Sequence, residues 1–481
     1  MAVANSNNDL LLFLKQDCET CQLVKPVVDD LKKKGVDIEV YVQDYPDYYE
    51  ELSPNDDTSL EASFNWNVET TPTLIQTSGK GSTLRVEGWD KKGWQDVLGV
   101  EDLGENLPDF RPGCGSKSRE PGVYENLMAT YGDVGIQSRG IELGNWDDDM
   151  EICYERGWTD GLPVTPPTDA RIWRMLQGTN RKPDEVIGKV PPNLAPITVE
   201  KAAINAVLAG CKPEYFPVVI AALEAALDPV FTMHGLLCTT CFSSPIIVVN
   251  GPIAKSIGMN WGMNVLGQGN RANATIGRAL QLIIRNVGGG VPGDLDRSTF
   301  GGPGKYTFCF AEDETDDSWE SLSVTRGFEK GENTVTLFQG DGIQGFIDQR
   351  SQTPEQITKS LASSLLAVGH PKLAEFTNAM LVLSPEHYEI YKKEGWDRNK
   401  ITEALHKEMI RPGSELIQGA GGIGEGIDTS RADEMVNKFW LEGLLIVRAG
   451  GKAGLYSAIC AGWTGGRFRH ESKPVTKKIT L

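Results

Sequence analysis

The sequence is poor in the residues that bind nucleic acids or anionic membranes. Its 66 acidic residues outnumber its 47 lysines and arginines, so the formal charge is −19 and the pI is about 4.8. No basic run is longer than Lys32–Lys34. Because such a chain repels phosphate groups, we expect neither nucleic acid nor a membrane surface as a partner.

The amino terminus lacks a targeting or membrane signal. Met1–Asn8 contains no basic residue, and the apolar run Leu10–Leu14 ends at Lys15. That run is far shorter than a signal peptide or a membrane span requires. These features predict a cytoplasmic protein.

Cysteine is scarce and odd in number, with nine residues in a chain of 481. This count argues against a disulfide scaffold and favours reduced thiols with a few reactive ones. Two pairs have the CxxC spacing, namely Cys18/Cys21 and Cys238/Cys241. The remaining cysteines stand alone in the sequence: Cys114, Cys153, Cys211, Cys309 and Cys460.

What the chain does have is length and apolar residues, since 40% of its residues are hydrophobic. A chain of this size exceeds one core, so we expect a redox domain at 1–100, a linker at 101–144 that carries Cys114, and a large domain at 145–481 that is divisible into two subdomains. Apolar strand patterns such as Ile246–Val249 alternate with helical ones such as Pro217–Leu227. The fold class is therefore predicted as α/β, with a mixed α/β or α+β large domain.

The first CxxC pair lies where a strand pattern gives way to a helical one. Asp9–Leu14 reads as a buried strand, and apolar residues at helical spacing follow Cys18. A thiolate at a helix amino terminus meets unpaired N–H groups, which lower its pKa. We therefore predict that Cys18 is the nucleophile and Cys21 the resolving thiol; half of a zinc site is the alternative for an isolated CxxC.

The residues that follow predict a second strand at 37–42, a short helix at 59–66, a hairpin of strands at 73–76 and 83–87, and a last helix at 91–98. Together with the first strand and helix, these elements form a βαβ unit followed by ββα. With the CxxC turn, this order resembles the thioredoxin/glutaredoxin fold. The resemblance implies that Thr71-Pro72 is a cis peptide beside the thiols and that Pro72 helps to bind substrate. Asp17 and Glu19 depart from the familiar pattern, and their charge disfavours the thiolate.

The segment Arg111-Pro-Gly-Cys-Gly-Ser116 places Cys114 between two glycines. Flanking glycines leave a thiol accessible to Cys18 or to a substrate, and the charge of Arg111 favours its thiolate. Two interpretations remain, an incidental linker cysteine and a thiol that exchanges disulfides with the redox module.

The large region contains three groups of candidate polar residues. The first is Asp160, in the Gly- and Pro-rich run 157–168, for which two interpretations remain: a contact with the substrate, or a place in an ordered loop. The second is the pair Arg271 and Arg278, which lie with Arg285 at seven-residue spacing along one side of a predicted helix. These arginines are predicted to bind a carboxylate substrate or to form salt bridges with Asp and Glu side chains of the protein. The segment from Met233 to Cys241 has three interpretations: a thiol pair that the redox module reduces, with His234 near the substrate; a soft-metal site of Cys238, Cys241 and His234; or a buried structural segment.

Over nearly its full length the chain resembles a family of uncharacterised bacterial proteins known only as thioredoxin-family proteins. The elements that carry this resemblance are Arg111–Ser116, the run Gly-Trp-Thr-Asp-Gly-Leu-Pro-Val at 157–164 and Pro-Gly-Lys-Tyr-Thr-Phe-Cys at 303–309. It implies the domain plan but no reaction. It also implies that relatives can lack the Cys238/Cys241 pair.

These features favour a thiol-dependent oxidoreductase or lyase. The redox domain would reduce a cysteine of the large domain, Cys114 or the Cys238/Cys241 pair, which acts reductively on a small-molecule substrate. An external thiol reductant is the expected partner, a homo-oligomer is compatible with the sequence, and the redox domain itself requires no cofactor. The alternatives are a soft-metal or organometal binding protein and a protein disulfide reductase or isomerase.

Overall fold

The computed structural model describes residues 9–77, 83–375, 377–440, 442–463 and 472–481. Met1–Asn8, on which the targeting prediction depends, lies outside them. The chain divides into two compact units, Met1–Gly135 (unit 1) and Ile136–Leu481 (unit 2). It is a mixed α/β protein.

The strands and helices of unit 1 are β1 (Leu10–Leu14), α1 (Glu19–Lys33), β2 (Glu39–Val42), β3 (Asn55–Asp56), α2 (Glu61–Asn65), β4 (Thr70–Thr71), β5 (Thr73–Thr77), β6 (Thr83–Glu87), β7 (Trp89–Asp90), α3 (Lys91–Leu98), β8 (Phe110–Arg111), β9 (Cys114–Gly115) and α4 (Val123–Tyr131).

The sheet of unit 1 has the strand order β3-β2-β1-β5-β6. β1 and β2 are parallel, as are β2 and β3, whereas β5 is antiparallel to both β1 and β6. β1 is buried on both faces: Leu12 and Leu14 pack with the apolar face of α1, and Leu11 and Phe13 belong to a smaller cluster on the other side. The start of α1 therefore lies at the carboxyl end of the central strand, β1.

Residues 101–144, predicted as a linker, divide between the two units. Within unit 1, β8 pairs with β7, β9 pairs with β4, and α4 lies against α2. Cys114 is therefore part of a compact unit, in contrast to the linker interpretation. Its strands are two residues long, so they leave no periodic pattern in the sequence.

The strands and helices of unit 2 are α5 (Asp149–Glu155), α6 (Asp169–Leu176), β10 (Val186–Val190), β11 (Ala195–Thr198), α7 (Val199–Ala209), α8 (Phe216–Leu227), α9 (Met233–Cys238), β12 (Ser244–Asn250), α10 (Pro252–Ser256), α11 (Arg271–Asn286), β13 (Cys309–Ala311), α12 (Leu322–Thr325), β14 (Thr334–Ile347), α13 (Pro354–Leu366), β15 (Ala379–Leu383), α14 (Pro385–Lys393), α15 (Arg398–Glu408), β16 (Arg411–Pro412), α16 (Gly413–Leu416), β17 (Met435–Val436), β18 (Leu444–Arg448), β19 (Tyr456–Gly462) and β20 (Val475–Lys478).

A mixed sheet with the order β13-β12-β14-β19-β15-β18 organises unit 2, and β20 also pairs with β14. Ile247 and Val249 of β12 face a helical layer that includes α7, α8 and α11. Ile246 and Val248 point to a second cluster on the opposite side. Because side chains alternate along a strand, one apolar run serves both faces.

Within the described residues, no single helix is both long and apolar enough to cross a membrane. One bent pair, Pro213–Leu227 with Pro229–Cys238, passes that test by length and composition, with 69° between its halves.

Candidate functional site

Cys18 and Cys21 lie where β1 gives way to α1. Cys18 is the N-cap residue in an extended conformation, and its Sγ accepts a hydrogen bond from the backbone N–H of Cys21 at 3.2 Å. Both side chains are buried, with 3% and 0% exposure. The predicted position of the pair at a helix amino terminus is therefore observed, and a capping sulfur there is placed to carry negative charge.

The third thiol of unit 1 approaches Cys18 from the strand β9. β9 pairs antiparallel with β4, so that Cys114 lies opposite Thr71. Thr71 precedes the peptide bond to Pro72, which is cis, and its carbonyl oxygen is 3.3 Å from the Cys18 Sγ. Cys18, Pro72 and Cys114, predicted separately, thus meet at one place.

Gly113 makes this approach sterically feasible. A Cβ on Gly113 would lie 2.3 Å from the Thr70 side chain and 2.7 Å from the Thr71 carbonyl oxygen. Only a residue without a side chain fits between β9 and the loop that contains Pro72. The glycine before Cys114 thus has a packing role in addition to the accessibility that its sequence suggests.

A buried polar network fixes the residues after Cys114. The Gln43 side-chain amide donates to Ser63 and Ser116, each at 2.7 Å, and its carbonyl oxygen accepts the Lys117 N–H at 3.0 Å. Ser118 adds a bond of 2.8 Å to the Val68 carbonyl oxygen. Satisfied buried networks of this kind specify one arrangement, so β9 is held in register.

Ionic and polar contacts also hold the segment before Cys114 near the start of α1. Arg111 forms an ion pair with Glu19, and the Thr20 hydroxyl donates to the Pro112 carbonyl oxygen at 2.7 Å. The acidic Glu19, expected to oppose the thiolate, is thus paired with a cation. The same ion pair neutralises the charge of Arg111.

The pKa of Cys18 is lowered to about 5. The main cause is a hydrogen bond from the Cys21 thiol; burial acts in the opposite direction, and the Cys114 thiol, the Cys21 N–H and the Thr71 side chain add further stabilisation of the thiolate. The nearby Thr71 carbonyl oxygen is an acceptor for the protonated form only. At neutral pH Cys18 is therefore mainly a thiolate.

The two neighbouring thiols have raised pKa values, first because they are buried and then because Cys18 carries the charge. Burial, followed by the interaction with Cys18, raises the pKa of Cys21 well above its ordinary value. The same two causes raise the pKa of Cys114. The expectation that Arg111 favours a Cys114 thiolate is therefore wrong, since the pKa of Cys114 is raised and Arg111 is paired with Glu19.

Sequence reasoning names Thr71 as the residue before the cis proline, but it misses three residues that complete this site: Gln43, Ser116 and Ser118. They are isolated polar residues in segments without periodicity, and only the folded chain brings them together.

In unit 2, two of the predicted substrate-binding residues bind each other. Arg278 donates to both carboxylate oxygens of Asp160, at 2.8 and 2.7 Å, and its other hydrogen bonds go to the carbonyl oxygens of Pro163 and Leu162. Both side chains are mostly buried. The pair fastens the 157–164 loop to α11, which gives both residues a structural role.

Arg271 also has a structural partner. Its Nε donates to the Gly210 carbonyl oxygen at 2.9 Å, and Gly210 is the residue that ends α7. A cation there satisfies a free carbonyl group and interacts favourably with the helix dipole. This contact gives Arg271 a structural role at the end of α7.

The second CxxC pair lies at the end of α9. Cys238 and His234 are exposed and Cys241 is half-buried. Among the described residues, no group of three or more His, Cys, Asp and Glu side chains is arranged to hold a metal ion. Cys238, Cys241 and His234 thus do not form the predicted soft-metal site, because their side chains do not converge.

The remaining cysteines of unit 2 are buried: Cys153, Cys211, Cys309 and Cys460. Burial raises the pKa of each of these thiols. Cys153 borders a cavity of about 530 Å³, but its thiol donates to the Asp149 carbonyl oxygen at 3.2 Å. Among the cysteines of unit 2, accessibility is therefore confined to Cys238 and Cys241.

No protein-family model, curated protein or solved structure matches this chain.

Proposed function

We propose that unit 1 is a thioredoxin-like module that catalyses thiol–disulfide exchange at Cys18. The observation that carries the proposal is the position of the Cys18 sulfur, which accepts the Cys21 N–H at 3.2 Å at the start of α1 and lies 3.3 Å from the carbonyl oxygen of Thr71, the residue paired with Cys114. The neighbouring thiols of Cys21 and Cys114 lower its pKa. The strand order β3-β2-β1-β5-β6 and a CxxC at the start of the helix after β1 also support it. A thiolate flanked by two potential resolving thiols is suited to two-electron exchange.

The reaction has two displacements. The Cys18 thiolate attacks one sulfur of a disulfide substrate; a Cys18–substrate bond forms, the substrate S–S bond breaks, and the departing thiolate takes a proton from water. Cys21 or Cys114 then loses its proton and attacks the Cys18 sulfur, which forms an internal disulfide and releases the second substrate thiol. Two electrons pass to the substrate, and an external dithiol reductant restores them.

The chain also carries a candidate internal client. This client is the Cys238/Cys241 pair, which would form an accessible disulfide of unit 2 when oxidised. Because both units belong to one chain, the effective concentration of this disulfide at Cys18 is about millimolar where the connection permits contact. In this scheme unit 2 acts on the small molecule, and unit 1 supplies its electrons.

Disulfide mapping of the full chain tests which thiols exchange. After oxidation with diamide, mass spectrometry should find Cys18 bonded to Cys114 in the Cys21→Ser variant and to Cys21 in the Cys114→Ser variant. A Cys153→Ser variant should behave as the wild type because that thiol is buried in unit 2. If Cys18 forms no bond with Cys114 in the first variant, Cys114 is not an exchange partner.

The internal client has a separate test. In the Cys21→Ser/Cys114→Ser double variant, Cys18 has no resolving thiol, so attack on an oxidised Cys238/Cys241 pair should leave a stable mixed disulfide. Its absence, while Cys18 still forms mixed disulfides with an added disulfide, would reject the internal transfer and leave the chemistry of unit 1 intact.

A further inference from the structure

Unit 2 contains a cavity of about 520 Å³ between α11 and the glycine-rich loop that follows this helix. This volume is in the range of small-molecule sites, about 300–1,000 Å³. Leu237, Ile284 and Phe300 provide apolar surface on its wall. The cavity belongs to unit 2 alone and does not involve the thiols of unit 1.

The charged side chains on the cavity wall are Asp160, Arg285, Asp296 and Lys305. Three of them are neutralised. Asp160 is held by Arg278, and Lys305 binds both carboxylate oxygens of Asp296, at 3.0 and 2.8 Å.

Arg285 is the exception. Its Nε is buried and has no hydrogen-bond partner among the described residues, and no carboxylate there pairs with this guanidinium. It lies in the last turn of α11, where the helix dipole favours a cation. A cation on a cavity wall without a counter-charge is a recognition group for an anion.

We propose that this cavity binds a small organic carboxylate through Arg285. The two Nη groups of a guanidinium form a planar fork that matches the two oxygens of a carboxylate. One unpaired cation is complementary to a single negative charge, and the apolar wall is complementary to a hydrocarbon or aromatic group next to the carboxylate.

The second CxxC pair belongs to a segment that also lines this cavity. The Leu237 carbonyl oxygen accepts the Arg297 N–H at 3.0 Å, and the Thr240 carbonyl oxygen accepts the Thr299 N–H and hydroxyl, each at 3.0 Å. Leu237 and Thr299 themselves line the cavity. A bound carboxylate would therefore lie close to the segment that carries Cys238 and Cys241, the accessible thiols of unit 2.

Binding of phenylacetate to the full chain, measured by saturation-transfer NMR and calorimetry, tests the proposal. Phenylacetamide is its uncharged analogue. We expect phenylacetate to bind at least about tenfold more tightly than phenylacetamide, because a carboxylate forms stronger, charge-assisted hydrogen bonds with a guanidinium than a neutral amide does. The Arg285→Gln variant should lose this preference, and Arg285→Lys, which keeps the charge without the fork, should retain part of it.

The matched control is Arg350→Gln, which removes an exposed charge of unit 2 outside the cavity. It should bind phenylacetate as the wild type does. Equal affinity for the acid and the amide, wild-type affinity in Arg285→Gln, or no binding at roughly 20 mM phenylacetate would each overturn the proposal. Arg285-dependent binding of inorganic phosphate without binding of phenylacetate would overturn the assignment to carboxylates. The comparison of acid and amide uses the wild type, so it holds even where a variant misfolds, and it is independent of the exchange at Cys18.

Discussion

The Cys18→Ser variant should reduce disulfides at least about a thousandfold more slowly than the wild type, because it lacks the nucleophile of the first displacement. A hydroxyl is no substitute, since it stays protonated at neutral pH while the pKa of the Cys18 thiol is about 5. The measurement is steady-state reduction of a small aromatic disulfide by the full chain with excess dithiol reductant.

The other thiol variants distinguish the roles within this site. Cys21→Ser and Cys114→Ser should each retain turnover, because one resolving thiol remains. In the pre-reduced double variant, assayed without added dithiol, the disulfide substrate should release one equivalent of thiol and then stop, with the other half of the substrate bonded to Cys18. Undiminished turnover in Cys18→Ser would show that another thiol attacks.

The second large effect is on stability. The Glu312→Gln variant should lower the free energy of unfolding of unit 2 by about 3–5 kcal/mol, the usual result of breaking a buried ion pair. The Glu312 side chain is 0% exposed, and its carboxylate accepts from Arg398 at 2.6 Å, from the Leu322 N–H at 2.6 Å and from the Asn250 amide at 2.7 Å. An amide cannot accept all these bonds, and the buried Arg398 would lose its counter-charge.

Chemical denaturation followed by circular dichroism measures this effect, with the transition midpoint and slope analysed together. The control is Asp317→Ala, which breaks the exposed Lys330–Asp317 pair at 3.0 Å and should change stability by no more than about 1 kcal/mol. Equal effects of the two substitutions would contradict the structural role given to Glu312. Because Glu312 belongs to unit 2, the reactivity of Cys18 in the folded variant should be unchanged.

The sequence predicts the surroundings of Cys18 and Cys21 well, because they follow from local patterns. The strand predicted at 9–14 is observed at Leu10–Leu14, and the helix begins directly after Cys18. Short-range periodicity and a helix amino terminus are properties that neighbouring residues determine on their own.

Cys114 is different because its position depends on distant residues. The β9 pairing with Thr71 and the bonds from Gln43 to Ser116 join segments that lie far apart in the chain. Neither a two-residue strand nor an isolated buried serine produces a periodic signal. The sequence therefore identifies Cys114 as a noteworthy thiol but cannot place it beside Cys18.

The arginines of α11 illustrate the same limit. Their seven-residue spacing predicts a common stripe, but their roles depend on partners elsewhere: Arg271 binds Gly210, Arg278 binds Asp160, and Arg285 has no partner within the described residues. Spacing alone ranks the three equally. Only the tertiary structure separates the unpaired cation from the two structural ones.

The central claim is that Cys18 is a thiolate stabilised by two neighbouring thiols, and the pH dependence of its alkylation tests this most directly. The rate of modification of reduced full-length protein by iodoacetamide, followed at Cys18 by mass spectrometry, should rise with a midpoint at about pH 5 and reach a plateau above it, because only the thiolate reacts. In the Cys114→Ala variant, which lacks one S–H donor, the midpoint should move to higher pH. A wild-type midpoint near 9.0, the ordinary value for a cysteine thiol, would contradict the account.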